Sequence, residues 1–209
     1  MQQDRRITFF HAPRSRSTGV AILLEELHAD YRIRLLSIQQ GQTRQPEYLG
    51  INPMGKVPAI LHGNTLVTEQ GAVFIYLSDL YPEAGLTPPL DDPQRGAWLR
   101  WLVFYGSSFE PAIADRAQQH VPPVSMSPYG DFDTMLGTLV GQLEKGPYLL
   151  GERLSSADLL WGTALKWTLG FGVVPPLPVL QAYAERIASR PSVVRIAELE
   201  ETWLAQLGD

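Results

Sequence analysis

The chain has 209 residues, 44% of them hydrophobic and 19% charged, which is the composition of a globular protein with a buried core. Its net charge of −5 argues against nucleic acid or an anionic membrane as the main partner, and no apolar run approaches the roughly 20 residues that span a bilayer. No cysteine is present and the first residues lack a signal-peptide pattern, so we expect a cytoplasmic protein in which any sulfur chemistry would have to arrive with a ligand.

Residues 5–80 alternate between strand and helix patterns. Apolar, β-prone segments predict four strands, at residues 5–10, 31–38, 57–61 and 65–68. Apolar residues at helical spacing predict two helices, the first marked by Val20, Leu23, Leu24 and Leu27 and the second by Val73, Tyr76, Leu77 and Leu80. The crossover helix implies a parallel first strand pair, and the turn His62-Gly63-Asn64 implies an antiparallel hairpin. The pattern predicts a mixed four-stranded sheet, an α+β thioredoxin-like domain over residues 1–80.

Residues 81–92 are rich in proline, glycine and acid, so we interpret them as a linker to a second domain at residues 93–209. That domain is predicted to be an all-α helical bundle, because several sets of apolar residues keep helical spacing. They are Trp98, Trp101, Leu102, Tyr105 and Phe109; Leu136, Leu139, Val140 and Leu143; and Leu180, Tyr183, Ala184 and Ile187. Another helix has a marked start, where Ser155 and Asp158 are placed to form a capping box, which we interpret as a folding feature.

Ser15, Arg16 and Ser17 lie between the first strand and the first helix. Hydroxyls at this position have a structural explanation, since serine commonly caps a helix. The functional alternative is that free N–H groups and the positive end of the helix dipole bind an anion there. A serine hydroxyl that donates to a ligand thiolate would also stabilise the ionised thiol and lower its pKa.

Two further segments of the first domain allow both kinds of interpretation. Pro58 follows the first residue of a predicted strand, so either the strand lies at an edge or the Val57–Pro58 bond is cis. In the second case the backbone of Val57 can pair with an extended peptide. Glu69 is favoured by the helix dipole at the start of a helix, but with the neighbouring N–H groups it also suits the zwitterionic end of an amino acid.

The order and spacing of these segments resemble the N-terminal domain of the glutathione transferase family. The most specific part is NPMGKVPAIL at residues 52–61, followed by LVTEQGAVFIYL at residues 66–77. The resemblance continues through LLGERLSSADLLW at residues 149–161 and RPSVVRIAE at residues 190–198, and so covers essentially the whole chain. Because no CxxC motif is present, the thioredoxin-like fold cannot serve dithiol redox chemistry with its own side chains.

The resemblance implies a role for each segment in binding glutathione as a co-substrate. Ser15 occupies the position of the group that contacts the glutathione sulfur in serine- and cysteine-type members, with Ser17 as a rival. Arg16 is implied either to contact the ligand or to shape the loop. Val57, before a cis Pro58, would hold the cysteinyl backbone of glutathione.

The γ-glutamyl end of glutathione is implied to lie at the third segment. Glu69 would bind its amine and the backbone of Gln70 its carboxylate, while Lys56 is either a contact for a terminal carboxylate or a solvated lysine. Many family members have serine where Gln70 stands, and the loop after the first strand has neither the tyrosine nor the cysteine of other classes. These departures bear on catalytic strength and leave the expected fold unchanged.

The activity that the resemblance implies is attack of the glutathione thiolate on a hydrophobic electrophile, as in detoxification, or a related peroxidase, isomerase or dehalogenase reaction. Tyr105, Phe109 and Trp161 are candidate walls of the second site, although aromatic residues at helical spacing are more often core. The alternatives are a non-catalytic interaction or regulatory protein of the same fold, and a ligand-storage protein. A homodimer is implied, and no metal is expected because the four histidines form no ligand pattern.

Overall fold

The computed structural model describes residues 5–209, so residues 1–4 of the predicted first domain lie outside the described residues. The chain divides into two compact units, one formed by the residues up to Ala84 together with Pro191–Asp209, the other by Gly85–Arg190. The strands are β1 Ile7–His11, β2 Tyr31–Leu35, β3 Ala59–His62 and β4 Thr65–Val67. The helices are α1 Thr18–Glu26, α2 Pro46–Leu49, α3 Gln70–Leu80, α4 Arg95–Phe104, α5 Glu110–Ala117, α6 Phe132–Leu143, α7 Ser156–Gly170, α8 Pro178–Ala188 and α9 Pro191–Leu207.

The first unit is built on a four-stranded sheet with the strand order β2-β1-β3-β4. β1 pairs with β2 in parallel, and the other two pairs are antiparallel. Gly63, at a φ of 57°, adopts the left-handed conformation that the tight turn between β3 and β4 requires. The prediction of a mixed four-stranded, thioredoxin-like domain followed by helices is confirmed.

The core of the first unit lies on both faces of β1, whose five residues are all buried. α1 buries Val20, Leu23 and Leu24 completely and α3 buries Val73 and Leu77, as their apolar spacing predicts. Phe74, which the predicted stripe does not include, is also buried, whereas Tyr76 and Leu80 are half-buried. β3 begins at Ala59 rather than at residue 57, because Pro58 has no N–H to donate to a strand partner.

The last helix belongs to the first unit, whereas the predicted boundaries place it with the helical domain. α9 packs against α1, and its buried side chains are Val193, Ile196, Glu200 and Trp203. Their spacing forms one helical face, on which Glu200 contacts Thr18 and Trp203 contacts His11 of the first unit. The sequence shows such a face but does not specify which unit covers it.

The second unit is helical, as predicted, and its core is aromatic. Trp98, Trp101, Phe109 and Trp161 are at most 1% exposed. A π-helical turn at Tyr105–Phe109 separates α4 from α5. The segment predicted as a linker is partly packed into this unit, since Leu86 and Thr87 are buried.

The capping box at the start of α7 is present as predicted. Asp158 is fully buried and accepts four hydrogen bonds of 2.8–2.9 Å, from the backbone of Leu149 and Ser155 and from the hydroxyls of Ser155 and Tyr183. The box therefore links the preceding loop, α7 and α8 around one carboxylate.

Candidate functional site

The loop between β1 and α1 places two serine hydroxyls side by side. The Oγ atoms of Ser15 and Ser17 are 2.7 Å apart, and both lie within hydrogen-bond distance of the carbonyl oxygen of Ala12. Ser17 is fully buried, whereas Ser15 is partly exposed. Of the two candidate hydroxyls, Ser15 is the one that a ligand can reach.

Ser17 occupies the N-cap position of α1, but its hydroxyl does not cap the helix. Its Oγ lies 2.7 Å from Nδ1 of His11 and accepts a 3.2 Å hydrogen bond from the backbone N–H of Ala12. The structural explanation of this serine as a capping hydroxyl is therefore not the one that the structure adopts. Its hydroxyl instead ties the loop to the end of β1.

His11 is the last residue of β1 and is completely buried. Its ring contacts Phe9 and Trp203, with ring centroids 5.3 Å and 5.0 Å away. Burial lowers the pKa of His11 to about 3, so the imidazole is neutral at neutral pH. Its Nε2 atom has no partner within hydrogen-bond distance among residues 5–209, and the carboxylate of Glu200 lies 3.6 Å away.

Glu200 brings α9 to the same loop. Its Oε1 accepts a 3.2 Å hydrogen bond from the backbone N–H of Arg14 and another from the hydroxyl of Thr18. Burial raises the pKa of this carboxyl, while the donors from Thr18 and Arg14 oppose that rise. Sequence reasoning missed both Glu200 and His11. The signal for Glu200 was a carboxylate within the apolar face that Val193, Ile196 and Trp203 form on α9.

The second predicted segment precedes β3. The Val57–Pro58 bond is cis, as the resemblance implies. The carbonyl oxygen of Lys56 accepts hydrogen bonds from the hydroxyl of Tyr48 at 2.6 Å and the side-chain amide of Asn52 at 2.8 Å. These bonds fix the backbone just before Val57, whereas the side chain of Lys56 is exposed.

The third predicted segment joins β4 to α3. Glu69 is exposed and has a φ of 62°, an uncommon conformation for a residue other than glycine that often marks functional sites. Gln70 donates a 2.8 Å hydrogen bond from Nε2 to the carbonyl oxygen of Arg16. Gln70 thus connects the start of α3 to the loop that carries Ser15.

Strand topology brings the three segments to one end of the sheet. The C-terminal end of β1 lies beside the start of β3, because Phe10 pairs with Ala59. The end of β4 lies beside the start of β3 in turn, because Val67 pairs with Ile60. Ser15, Val57 and Glu69 therefore follow one another across this end of the sheet.

A cavity of about 250 Å³ opens at the same end of the sheet, on the side of β2. Its apolar lining is Ala12, Pro13, Leu36, Ile38 and Leu204, and its polar lining is Arg14, Gln39 and Asp209. Because Ala12 also accepts the hydrogen bond from Ser15, the cavity adjoins the exposed serine.

Comparison with known proteins decides the family. The glutathione S-transferase N-terminal domain matches residues 5–79, and the glutathione S-transferase C-terminal domain matches residues 131–191. A glutathione S-transferase-like protein of Aspergillus terreus, gedE, is 31% identical and aligns with 85% of this chain and 88% of its own. The chain belongs to the glutathione transferase family.

Two further relatives extend over nearly the whole chain. The disulfide-bond oxidoreductase YfcG of Escherichia coli K12 is 29% identical over 97% of each chain. A glutathione transferase homologue from Sulfitobacter, solved with bound glutathione, is 27% identical, with a TM-score of 0.76 over 93% of this chain and 98% of its own. Glutathione is therefore a ligand of a close structural relative.

The aromatic residues predicted to wall a second site are packed in the core of the second unit. Tyr105, Phe109 and Trp161 are at most 3% exposed, and their ring centroids lie 4.9–5.8 Å from one another. This packing supports the structural interpretation of these residues. Their role as pocket walls stays a prediction without support from the side-chain positions.

Two other features, a metal-binding cluster and a membrane-spanning helix, are absent from residues 5–209. No group of three or more histidine, aspartate or glutamate side chains in this range is placed to hold a metal ion. No helix in the same range has the length and apolar character to cross a membrane.

Proposed function

We propose that this member of the glutathione transferase family binds glutathione across the strand ends of the first unit and activates its thiol at Ser15. The observation that carries the proposal is the partly exposed Ser15 hydroxyl at the same end of the sheet as Val57 and Glu69. The family membership and a relative solved with bound glutathione support the choice of ligand.

Activation of the thiol at Ser15 depends on stabilising the negative charge of the thiolate. A thiol of pKa about 8.5 is mostly protonated at neutral pH, and the thiolate is the nucleophile. A hydroxyl donor and the nearby N-terminus of α1 both stabilise negative charge, so they raise the thiolate fraction of a thiol placed beside Ser15. Ser15 can turn its proton from the carbonyl of Ala12 to such a thiolate.

The rest of glutathione is assigned along the sheet in the order that the family resemblance implies. Val57 holds the cysteinyl backbone, Glu69 the γ-glutamyl amine and the backbone of Gln70 its carboxylate. The side chain of Gln70 is committed to the carbonyl of Arg16, so it stabilises the loop rather than the ligand. Lys56 is exposed and is assigned to the glycyl carboxylate as a solvated charge.

The electrophile is assigned to the cavity beside Ala12 and Pro13. Its apolar lining suits a hydrophobic substrate, and it adjoins the serine at which the thiolate is placed. The conjugation reaction forms a bond between the glutathione sulfur and the electrophile, and a halide or similar leaving group departs with the bonding pair.

Thermal unfolding with reduced glutathione and with S-hexylglutathione tests this function. A ligand at a hundred times its dissociation constant stabilises the folded protein by about 2.7 kcal/mol, so the midpoint should rise by several degrees. Turnover with an activated aryl halide, lost in Ser15→Ala, would support the transferase reaction. Binding without turnover on any electrophile would favour a regulatory or storage role, and no shift with either ligand would overturn the proposal.

A second candidate reaction is reduction of disulfides by bound glutathione. It is favoured by the similarity to YfcG, which is named a disulfide-bond oxidoreductase. Since this chain has no cysteine, two glutathione molecules must supply both electrons, giving two substrate thiols and one glutathione disulfide. A mixed-disulfide substrate assayed with glutathione, with appearance of glutathione disulfide as the readout, distinguishes this reaction from conjugation.

We also propose a cytoplasmic homodimer with a detoxifying role, as is usual for the family. The quaternary structure is the part of this proposal that is directly testable. Size-exclusion chromatography with light scattering should report twice the mass of one chain, and the mass of a single chain would contradict the dimer.

A further inference from the structure

One carboxylate oxygen accepts hydrogen bonds from both ends of the loop that carries Ser15. Oε1 of Glu200 accepts from the backbone N–H of Arg14 and from the hydroxyl of Thr18, at either end of the serine segment. The same oxygen lies 3.6 Å from Nε2 of His11. Glu200 therefore contacts the loop before Ser15, the helix start after it and the strand end beneath it.

These contacts determine the direction of the hydrogen bonds in the cluster. An oxygen that already accepts from two donors is an acceptor, so the nitrogen of His11 that faces it carries the ring proton. A bare Nε2 lone pair beside a carboxylate would instead be repelled within a buried site. Because His11 is neutral, Nδ1 then carries no proton and accepts a 2.7 Å hydrogen bond from the hydroxyl of Ser17.

The single hydroxyl proton of Ser17 is thereby committed to His11. Oγ of Ser17 becomes an acceptor, for the N–H of Ala12 and for the hydroxyl of Ser15. The hydroxyl of Ser15 keeps its proton and can donate it in a hydrogen bond to Ala12, to Ser17 or to an incoming thiolate.

We propose that Glu200 is a positioning residue that acts through His11, Ser17 and the loop backbone to present Ser15 as the hydroxyl that meets the glutathione thiol. The proposal rests on glutathione binding as the proposed function. It gives the two serines different roles: Ser15 contacts the ligand, and Ser17 holds the hydrogen-bond network behind it.

The neighbouring carboxylate provides a matched control. Glu201 pairs with the exposed guanidinium of Arg14 at 2.8 Å, one residue along the same helix. Both glutamates contact Arg14, but Glu201 contacts only its side chain, whereas Glu200 holds its backbone. Loss of Glu201 therefore removes a charge from the same helix without releasing the loop.

The first test needs no ligand. Nitrogen-15 NMR of the histidine rings, with His11 assigned by comparison with His11→Phe, should show a protonated Nε2 and an unprotonated Nδ1. The opposite tautomer in the wild-type protein would overturn this proposal whether or not glutathione binds. If the expected tautomer is found but glutathione does not bind, the proposed function is overturned. The role of the network toward a ligand is then overturned as well, although the hydrogen-bond network itself is confirmed.

The second test uses steady-state kinetics with glutathione and an activated aryl halide. Glu200→Ala should lower kcat about tenfold or more with KM for glutathione changed little, because a 1 Å misplacement near reacting atoms costs about 10²-fold. Glu200→Gln keeps an acceptor oxygen and should recover most of that loss, and Glu201→Gln should match the wild type. Equal losses in Glu200→Ala and Glu201→Gln, or a wild-type kcat in Glu200→Ala, would contradict the positioning role.

Discussion

Each unit of this protein contains a buried carboxylate on a helix, and the two differ in how completely they are satisfied. Asp158 in the second unit is fully buried and has four donors on its two oxygens. Glu200 in the first unit receives two direct hydrogen bonds on one oxygen, and Nε2 of His11 lies 3.6 Å from that oxygen, beyond normal hydrogen-bond distance. The donors of Asp158 come from a loop, the start of α7 and Tyr183 of α8, whereas those of Glu200 come from the loop beside Ser15 and the start of α1.

The difference in hydrogen bonding suggests different roles, stabilisation of the fold for Asp158 and positioning of Ser15 for Glu200. A buried polar group whose hydrogen bonds are all made is costly to disturb and stabilises a unique packing. A buried group that is only partly satisfied and lies beside a partly exposed hydroxyl adds little to stability, so its position calls for another explanation. The comparison therefore assigns Asp158 to folding and Glu200 to the arrangement of Ser15.

The largest expected effect is on stability, at Asp158. Asp158→Ala leaves four donors without an acceptor in a buried site and should lower the free energy of unfolding by about 3–5 kcal/mol. Chemical denaturation followed by tryptophan fluorescence measures the loss. Asp131→Ala, which removes an exposed cap of α6, should lose much less. Equal losses in the two variants would contradict the structural role given to Asp158.

The second effect is a pH dependence of the free energy of unfolding that is due to His11. Its pKa is about 3 in the folded protein and about 6.5 when unfolded, so between these values the unfolded chain binds one more proton. Stability should therefore fall as the pH falls through this window, by at most about 1.4 kcal/mol per pH unit. Buried Glu200 and Asp158, whose pKa values are raised, act in the opposite direction in acid.

The variant His11→Phe isolates the histidine contribution from those carboxylates. The unfolding free energy of the wild type minus that of His11→Phe should become smaller, that is less positive or more negative, as the pH is lowered from 7 to 4. His28→Asn is the matched control for loss of a histidine, at an exposed, left-handed position that asparagine tolerates. A difference between wild type and His11→Phe that stays constant with pH would show that His11 is not held neutral by burial.

The third effect separates stability from activity at Glu200. Glu200→Met replaces the carboxylate with an apolar side chain on an apolar helix face, so the free energy of unfolding should change by about 1 kcal/mol or less. Conjugation activity should nevertheless fall, because Arg14 and Thr18 lose their shared acceptor. A loss of stability as large as that of Asp158→Ala would erase the distinction between the two carboxylates.

The smallest effect is expected at the exposed pair of Arg14 and Glu201. Glu201→Gln should leave the unfolding midpoint unchanged within error, since exposed ion pairs contribute little and are screened by salt. Repeating the measurement at high salt in the wild type should show no change either. A clear loss in this variant would mean that the loop is held by its surface charge rather than by Glu200.

Much of the fold could be predicted from the sequence because local patterns agree with the tertiary structure. Strand and helix periodicities, the Gly63-Asn64 turn and the Ser155–Asp158 capping box all give local signals. The packing of α9 on the first unit could not be predicted in this way, since an amphipathic helix shows that a face is covered but not by what.

The sequence offers candidate positions for the site but not the hydrogen-bond network around them. Ser15, Val57 and Glu69 stand in segments that resemble the family, so their order along the chain makes them candidates. His11 and Glu200 are separated by almost the whole chain, and only the packing of α9 brings them together. The sequence could not distinguish Ser15 from Ser17 either, because that choice depends on which hydroxyl is buried against His11.

The central claim is that Ser15 stabilises the thiolate of bound glutathione. The pKa of the bound thiol can be measured by titrating thiolate absorbance in the ultraviolet, for the wild type, Ser15→Ala and Glu201→Gln. Stabilisation of the thiolate by Ser15 predicts a pKa well below the value of about 8.5 for a free thiol in the wild type and in Glu201→Gln, and a return toward that value in Ser15→Ala. An unshifted pKa in the wild type, or a lowered one that survives in Ser15→Ala, would contradict it.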